Sequence, residues 1–146
     1  YLILSSSALE LDMNTNMNIN NLIIDAAGNK ILLTLIVDKN IYTCSHENSK
    51  INFEKIMILI NNFLQKNKFL LSQISNIYVN RGPGSFAGIR NTLSVIKALY
   101  LTKNIDYYCF SVDDFLGLNE IKHQDVPDLC KKFNIKKNLI KPIYLS

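Results

Sequence analysis

An α/β fold, a mixed five-stranded sheet of order 3-2-1-4-5 with helices on its faces, is what the sequence predicts, on three observations. Three short apolar runs joined by tight turns open the folded part of the chain, which is the pattern of an antiparallel meander. Two helix-period segments then alternate with two further apolar runs, so the later strands must be reached by right-handed crossovers and lie parallel. Between the fourth apolar run and the second helical segment stands a glycine loop, Gly82-Pro83-Gly84-Ser85-Phe86-Ala87-Gly88-Ile89-Arg90, holding three of the chain's five glycines.

Strand one is read at Asn21–Ala26, with Leu22-Ile23-Ile24 at its centre and Asp25 near its end. Gly28-Asn29 turns the chain into strand two, Lys30–Val37, and Asp38-Lys39-Asn40 into strand three, Ile41–Ser45. Ser49–Lys66 is periodic enough for one helix, with Phe53, Ile56, Met57, Ile60, Phe63 and Leu64 on a broad face and Ile51 and Ile58 opposite. Asn76–Arg81 is the fourth strand. The helix after the loop runs over Ile89–Leu101, burying Ile89, Leu93, Ile96, Leu99 and Tyr100 and leaving Asn91, Ser94, Ala98 and Leu101 on a flank that another helix can approach. Asp106–Phe110 is the fifth strand, and Ser111 caps a short helix through Leu118 with Asp113 and Asp114 in its first turn. Asp125–Phe133 reads as a short helix and Ile143-Tyr144-Leu145 as an extended end. This order corresponds to the ribonuclease H-like half-domain of actins and sugar kinases.

With 146 residues, 48% of them apolar, the chain can bury a real core in one domain. A formal charge of +4 supports only weak attraction to nucleic acid. Cys44, Cys109 and Cys130 are odd in number and widely spaced, which points to reduced thiols and a cytoplasmic location rather than a disulfide framework or zinc site. No apolar run approaches the roughly 20 residues of a membrane span. Residues 1–20 are asparagine-rich and aperiodic, and read as a flexible leader.

The loop has two readings. A helix N-terminus after glycines can hold an anion; equally, Gly82, Gly84 and Gly88 can permit a tight turn and close strand–helix packing. Without the Lys-Ser/Thr end of a P-loop or a GxGxxG spacing, the second reading is preferred, with Gly82, Pro83, Gly84, Ser85, Phe86, Gly88 and Arg90 as a shape-determining signature. Phe86 then anchors the loop in apolar surroundings. Arg81 and Arg90, the only arginines, suit hydrogen bonding to a loop or to a partner's carboxylate. Ser85 has no base in a recognisable context, and His46 and His123, without metal-ligand spacing, read as exposed loop histidines. Lys131-Lys132 and Lys136-Lys137 read as a solvated tail.

With topology and loop together, the chain resembles the TsaB (YeaZ) family. The family's Gly-Pro-Gly-Ser-Phe-Thr-Gly-hydrophobic-Arg signature is matched throughout Gly82–Arg90 except at Ala87, where threonine is usual. Ser111-Val112-Asp113-Asp114-Phe115-Leu116 resembles its Val-Ser-Ser-Leu-Glu-type helix start, and Pro142-Ile143-Tyr144-Leu145 its closing Pro-x-Tyr-Leu-Arg, with Ser146 for arginine. Asp25-Ala26 replaces the family's Asp-Thr, the His-Ser-Glu-like entry to the first helix is absent around Lys50–Glu54, and Thr92, Ile96 and Tyr100 stand where small residues are usual.

The resemblance implies an actin-like accessory subunit that binds and activates a TsaD-type transferase, in threonylcarbamoyladenosine modification of tRNA at the adenosine next to the anticodon. A TsaE-type ATPase would join the assembly, tRNA would be met only indirectly, and no membrane is involved. The partner would pair with the two helices, at Ile51, Ile58, Asn91, Ser94, Ala98 and Leu101, a face that also suits a homodimer in isolation. The family's second domain has no room between Leu118 and Pro142, so residues 21–118 are expected to form the domain and 119–146 a short C-terminal remnant. Half of a two-domain nucleotide clamp leaves Asp25 as a degenerate phosphate-loop acid, with no cofactor, metal or catalytic residue expected. Two other readings stand beside this one: a small hydrolase or phosphotransferase using Asp25 and the loop, which binding of ATP with Mg²⁺ would reveal, and a self-associating degenerate remnant.

Overall fold

The computed structural model of the protein describes residues 19–144; the expected leader, save its last two residues, and Leu145 of the extended end lie outside the described residues. Five strands, β1 (Asn20–Asp25), β2 (Lys30–Val37), β3 (Asn40–Glu47), β4 (Asn76–Asn80) and β5 (Asp106–Phe110), form one mixed sheet of order 3-2-1-4-5. β1 pairs antiparallel with β2 and β2 with β3, whereas β1–β4 and β4–β5 are parallel. The C-terminal ends of β1 and β4 therefore lie side by side, and the glycine loop leaves from one of them. This is the expected sheet, in an actin-like, ribonuclease H-like arrangement.

Alternation sorts each strand's side chains between two layers. On one face Leu22 and Ile24, Ile31, Leu33 and Leu35, Ile77 and Val79 are buried under the helices α1 (Lys50–Glu54), α2 (Ile56–Lys66) and α3 (Phe86–Lys103). On the other, Ile23, Tyr78 and Phe110 are covered by Phe115 and by Val126 and Cys130 of α4 (Val126–Lys132). Val126 and Cys130, from the segment after Leu118, thus pack on this face of the sheet beside Phe115. The chain beyond α4 runs along the outer edge of β5, where Tyr107 and Asn138 exchange hydrogen bonds, at 2.7 Å to the Tyr107 carbonyl and 2.9 Å from its N–H.

Three expected elements differ. The single helix over Ser49–Lys66 is two helices, because Lys55 leaves helical geometry (φ −109°, ψ 15°) and its N–H turns back to the Asn52 carbonyl. The break lets α1 lie over the start of α3, with Phe53 against Gly88. The helix after the loop starts three residues earlier than its apolar period suggested, since Ser85 is the N-cap and accepts from the Gly88 N–H. The helix expected over Ser111–Leu118 is only a 3₁₀ turn, Val112–Asp114, closed when the Asp114 carboxylate accepts the Ser111 N–H. No helix among the described residues is long and apolar enough to cross a membrane.

Candidate functional site

The glycine loop is wedged between backbone segments. Gly82 has φ +110°, a region open to glycine, and a Cβ there would meet the Ile143 carbonyl and stand 3.0 Å from Ile89 Cδ1. At Gly84 a Cβ would fall against the Ala27 carbonyl and 2.8 Å from the Ala27 side chain, and at Gly88 against the Ala26 carbonyl, 3.0 Å from its carbon. The strand-to-helix turn thus packs directly on the exit of β1. Its N–H groups are largely used within the protein: Gly82 donates to Asn80 Oδ1, Ser85 to the Ala27 carbonyl, Gly88 to Ser85 Oγ and Ile89 to the Ser85 carbonyl. The Gly82–Pro83 peptide bond is cis, and Pro83 is exposed.

Phe86 is not anchored in apolar surroundings. As the first residue of α3 it lies on the helix's outer side and is 52% exposed, tilted against the also exposed ring of Tyr144 at 4.7 Å, with the Arg90 guanidinium 6.0 Å from its ring centre. Tyr144 is held there by a bridge to Gly84 and by the bond from Ile143 N–H to the Arg81 carbonyl.

Arg81, by contrast, is committed inside the protein. Its fork grips the Asp114 carboxylate at 2.7 Å from Nη2 and 3.4 Å from Nε, and its Nη1 donates to the Lys141 carbonyl at 2.9 Å. Asp114 thus does more than charge a helix start. Sequence reasoning had no means to join these two residues, 33 positions apart.

A second long-range pair concerns Asp25. His123, far from being an exposed loop residue, is half-buried and its Nε2 lies 2.8 Å from Asp25 Oδ2, so the strand-one acid is tied to the turn that leads into α4. His46 lies not in a loop but in β3, partly buried, 3.7 Å from Cys44 Sγ. Burial pushes the Asp25 carboxyl up, but the hydrogen bond and charge of His123, the Asn80 side chain and the Ala27 N–H outweigh it and hold the group below the ordinary carboxylate value. Among the described residues no group of three His, Cys, Asp or Glu is placed to hold a metal ion. Burial also raises the thiols of Cys109 and Cys130, each to about 12, which keeps both protonated and unreactive near neutral pH.

A depressed carboxyl stabilises the fold above its unfolded pKa of about 4, and the stabilisation fades as pH falls through the lower folded value. Asp25→Asn is therefore expected to cost about 1–2 kcal/mol near neutral pH and to flatten the acid limb of stability below about pH 4. Thermal midpoints measured from neutral to acid pH check this; an acid limb as steep as that of the unsubstituted chain would rule it out.

Each expected partner residue lies on one of the three helices, and all but Asn91 are exposed. Ile51 on α1 is 63% exposed, Ile58 on α2 56% and Leu101 on α3 70%, although each helix also carries buried side chains, Phe53 on α1, Ile60 on α2 and Ile96 on α3 among them. Ser94 and Ala98 are exposed and Asn91 half-buried between Leu101 and the loop end of α3; Ser94 and Asn91 donate to the carbonyls of Arg90 and Ala87, so neither side chain projects a free donor far from the helix. Thr92, one of the departures from the small-residue pattern, is fully buried and bonds to the Gly88 and Ile89 carbonyls, away from this surface.

Compared with known proteins, residues 47–132 match the family model described as TsaD, tRNA N6-adenosine threonylcarbamoyltransferase. The tRNA threonylcarbamoyladenosine biosynthesis protein TsaB of Buchnera aphidicola subsp. Baizongia pistaciae is 31% identical over 86 residues, covering 50% of this chain and 39% of that protein. Two solved structures have a TM-score of 0.60 at 17% identity and cover 66% of this chain: YeaZ from Pseudomonas aeruginosa, of which 46% is covered, and an uncharacterized protein with similarity to peptidase YeaZ from the same species, of which 45% is covered. At that identity they speak for the fold alone. The chain spans less than half the length of the relatives it matches.

Proposed function

The chain belongs to the TsaD-type family, as a TsaB (YeaZ) member of it, and from that premise we propose that it is a noncatalytic subunit that binds and activates a TsaD-type transferase in threonylcarbamoyladenosine modification of tRNA. The TsaE-type ATPase joins the same assembly, and tRNA is met through the partner. The observation that carries this reading is the helical face with Ile51, Ile58 and Leu101 more than half exposed, apolar surface of the kind that marks a protein interface. The glycine loop serves this role indirectly. Its close packing on β1 fixes where α3 starts, and α3 presents Asn91, Ser94, Ala98 and Leu101 to the partner.

Leu101→Glu and Ser94→Arg test the proposal, since both side chains are exposed in the free chain and neither change disturbs its core. Each is expected to weaken the complex with the TsaD-type subunit by about 2 kcal/mol, roughly thirtyfold. Co-purification followed by titration calorimetry measures this; a complex of undiminished strength in both variants would sink the proposed face.

A further inference from the structure

The charges around this apolar face are one-sided. The 18 residues of α3 contain Arg90, Lys97 and Lys103 and no carboxylate. α1 and α2, with Lys55 between them, contain Lys50, Lys55 and Lys66 against Glu54 alone. All of these groups are exposed, and among the described residues none of the cations forms an ion pair within the chain. Arg90 and Lys97 stand along the same side of α3 as Phe86, and Arg90 rests over that ring with its fork unspent. An exposed aromatic side chain beside an arginine is the pairing enriched at the energetic centres of interfaces.

We infer that the helical face is built for a protein surface that is apolar at its centre and rimmed with carboxylates, and is a poor match for a second copy of this chain. The inference rests on the partner reading above and adds the partner's chemistry. A two-fold dimer sets the same patch against itself, so here it would bring lysine and arginine against lysine and arginine around a shared apolar centre. A carboxylate-rimmed partner meets the same groups with opposite charge, and the planar fork of Arg90 accepts a carboxylate in two-point fashion. Nucleic acid would satisfy the cations with phosphate but leave Ile51, Ile58 and Leu101 in water, which argues for protein. The corner formed by Phe86, Arg90 and Tyr144 extends the face to the end of the described chain.

Salt separates the possibilities, because it weakens attraction between exposed charges, largely screening those more than about 8–10 Å apart at ordinary ionic strength and closer ones as salt rises. The full chain is titrated with the TsaD-type subunit of the same genome at low and high sodium chloride, and sedimented alone under the same conditions. The complex is expected to weaken about tenfold as salt rises, and Arg90→Glu and Lys97→Glu each to weaken it about tenfold at low salt and much less at high salt. Alone, the chain is expected to associate no more strongly at low salt than at high. A complex indifferent to salt and to both reversals overturns the carboxylate rim while leaving the partnership intact. No complex at any salt overturns the partnership and this inference with it, and self-association that tightens as salt is lowered overturns the mismatch with a second copy. Circular dichroism confirms folding of the reversals; were either to unfold, Arg90→Gln and Lys97→Gln replace them, with about threefold weakening expected.

Discussion

Alanine in place of Gly88 is expected to lower the stability of the domain by about 3 kcal/mol or more, against the ordinary preference of a helix for alanine. Gly88 lies in the first turn of α3, where alanine would otherwise be worth up to about 1 kcal/mol. Here the added methyl would overlap the carbonyl of Ala26, a fully buried residue at the exit of β1. No rotamer relieves this, because one atom is a Cβ and the other belongs to the backbone. The helix must lift, yet Ile89, Thr92 and Ile96 are each fully buried beneath it and Phe53 closes the other side. Overpacking in such a site outweighs the propensity gain. Urea unfolding of Gly88→Ala beside Gly28→Ala reads the effect, since an added Cβ at Gly28 meets nothing within 4 Å. Gly28→Ala should stay within about 0.5 kcal/mol of the unsubstituted chain. Equal stability of the two variants would show that the close approach at Gly88 is unimportant.

What could be read in advance was local. The meander, the crossovers and the glycine turn all follow from hydrophobic period and turn chemistry within a dozen residues, and the sheet order follows from them. The break at Lys55 was invisible because apolar spacing is nearly unchanged across it; only the need to seat Phe53 at Gly88 shows why the helix divides there. Phe86 departs from expectation for a different reason: an aromatic beside glycines is usually core, but once Ser85 caps the helix, residue 86 falls on its outer side with Arg90 one turn on. The two partly buried pairs, Arg81 with Asp114 and Asp25 with His123, have no signature in the sequence. Asp25 and His123 are 98 positions apart, and no spacing rule links a strand end to a turn on the far layer. The residues proposed for the partner form an intermediate case, since an apolar stripe opposite a buried face is visible in one helix, whereas whether the stripes of three helices meet depends on how they pack.

Arg81→Ala is expected to cost about 2–3 kcal/mol and to loosen the chain beyond α4 more than the rest of the domain. Arg81 and Asp114 are largely but not fully buried, at 16% and 19% side-chain exposure, so the cost should fall below that of breaking a wholly buried pair. Two connections are lost together: the two-point grip on Asp114 and the bond to the Lys141 carbonyl. Asp114 keeps the Ser111 N–H, which limits its own penalty, so most of the loss should appear where the last segment meets the loop. That segment includes the Ile143 N–H bonded to the Arg81 carbonyl and Tyr144 against Phe86, the same corner invoked for the partner. Arg81→Lys should rescue little, because an ammonium group cannot span both carboxylate oxygens and still reach Lys141. Hydrogen exchange after residue 136 should accelerate before the sheet is affected, and a double-mutant cycle with Asp114→Ala should return a coupling of about 1–2 kcal/mol. A coupling near zero would mean that the backbone bonds alone hold the segment, and the corner at Phe86 would then be set by Gly82 and Gly84 rather than by Arg81.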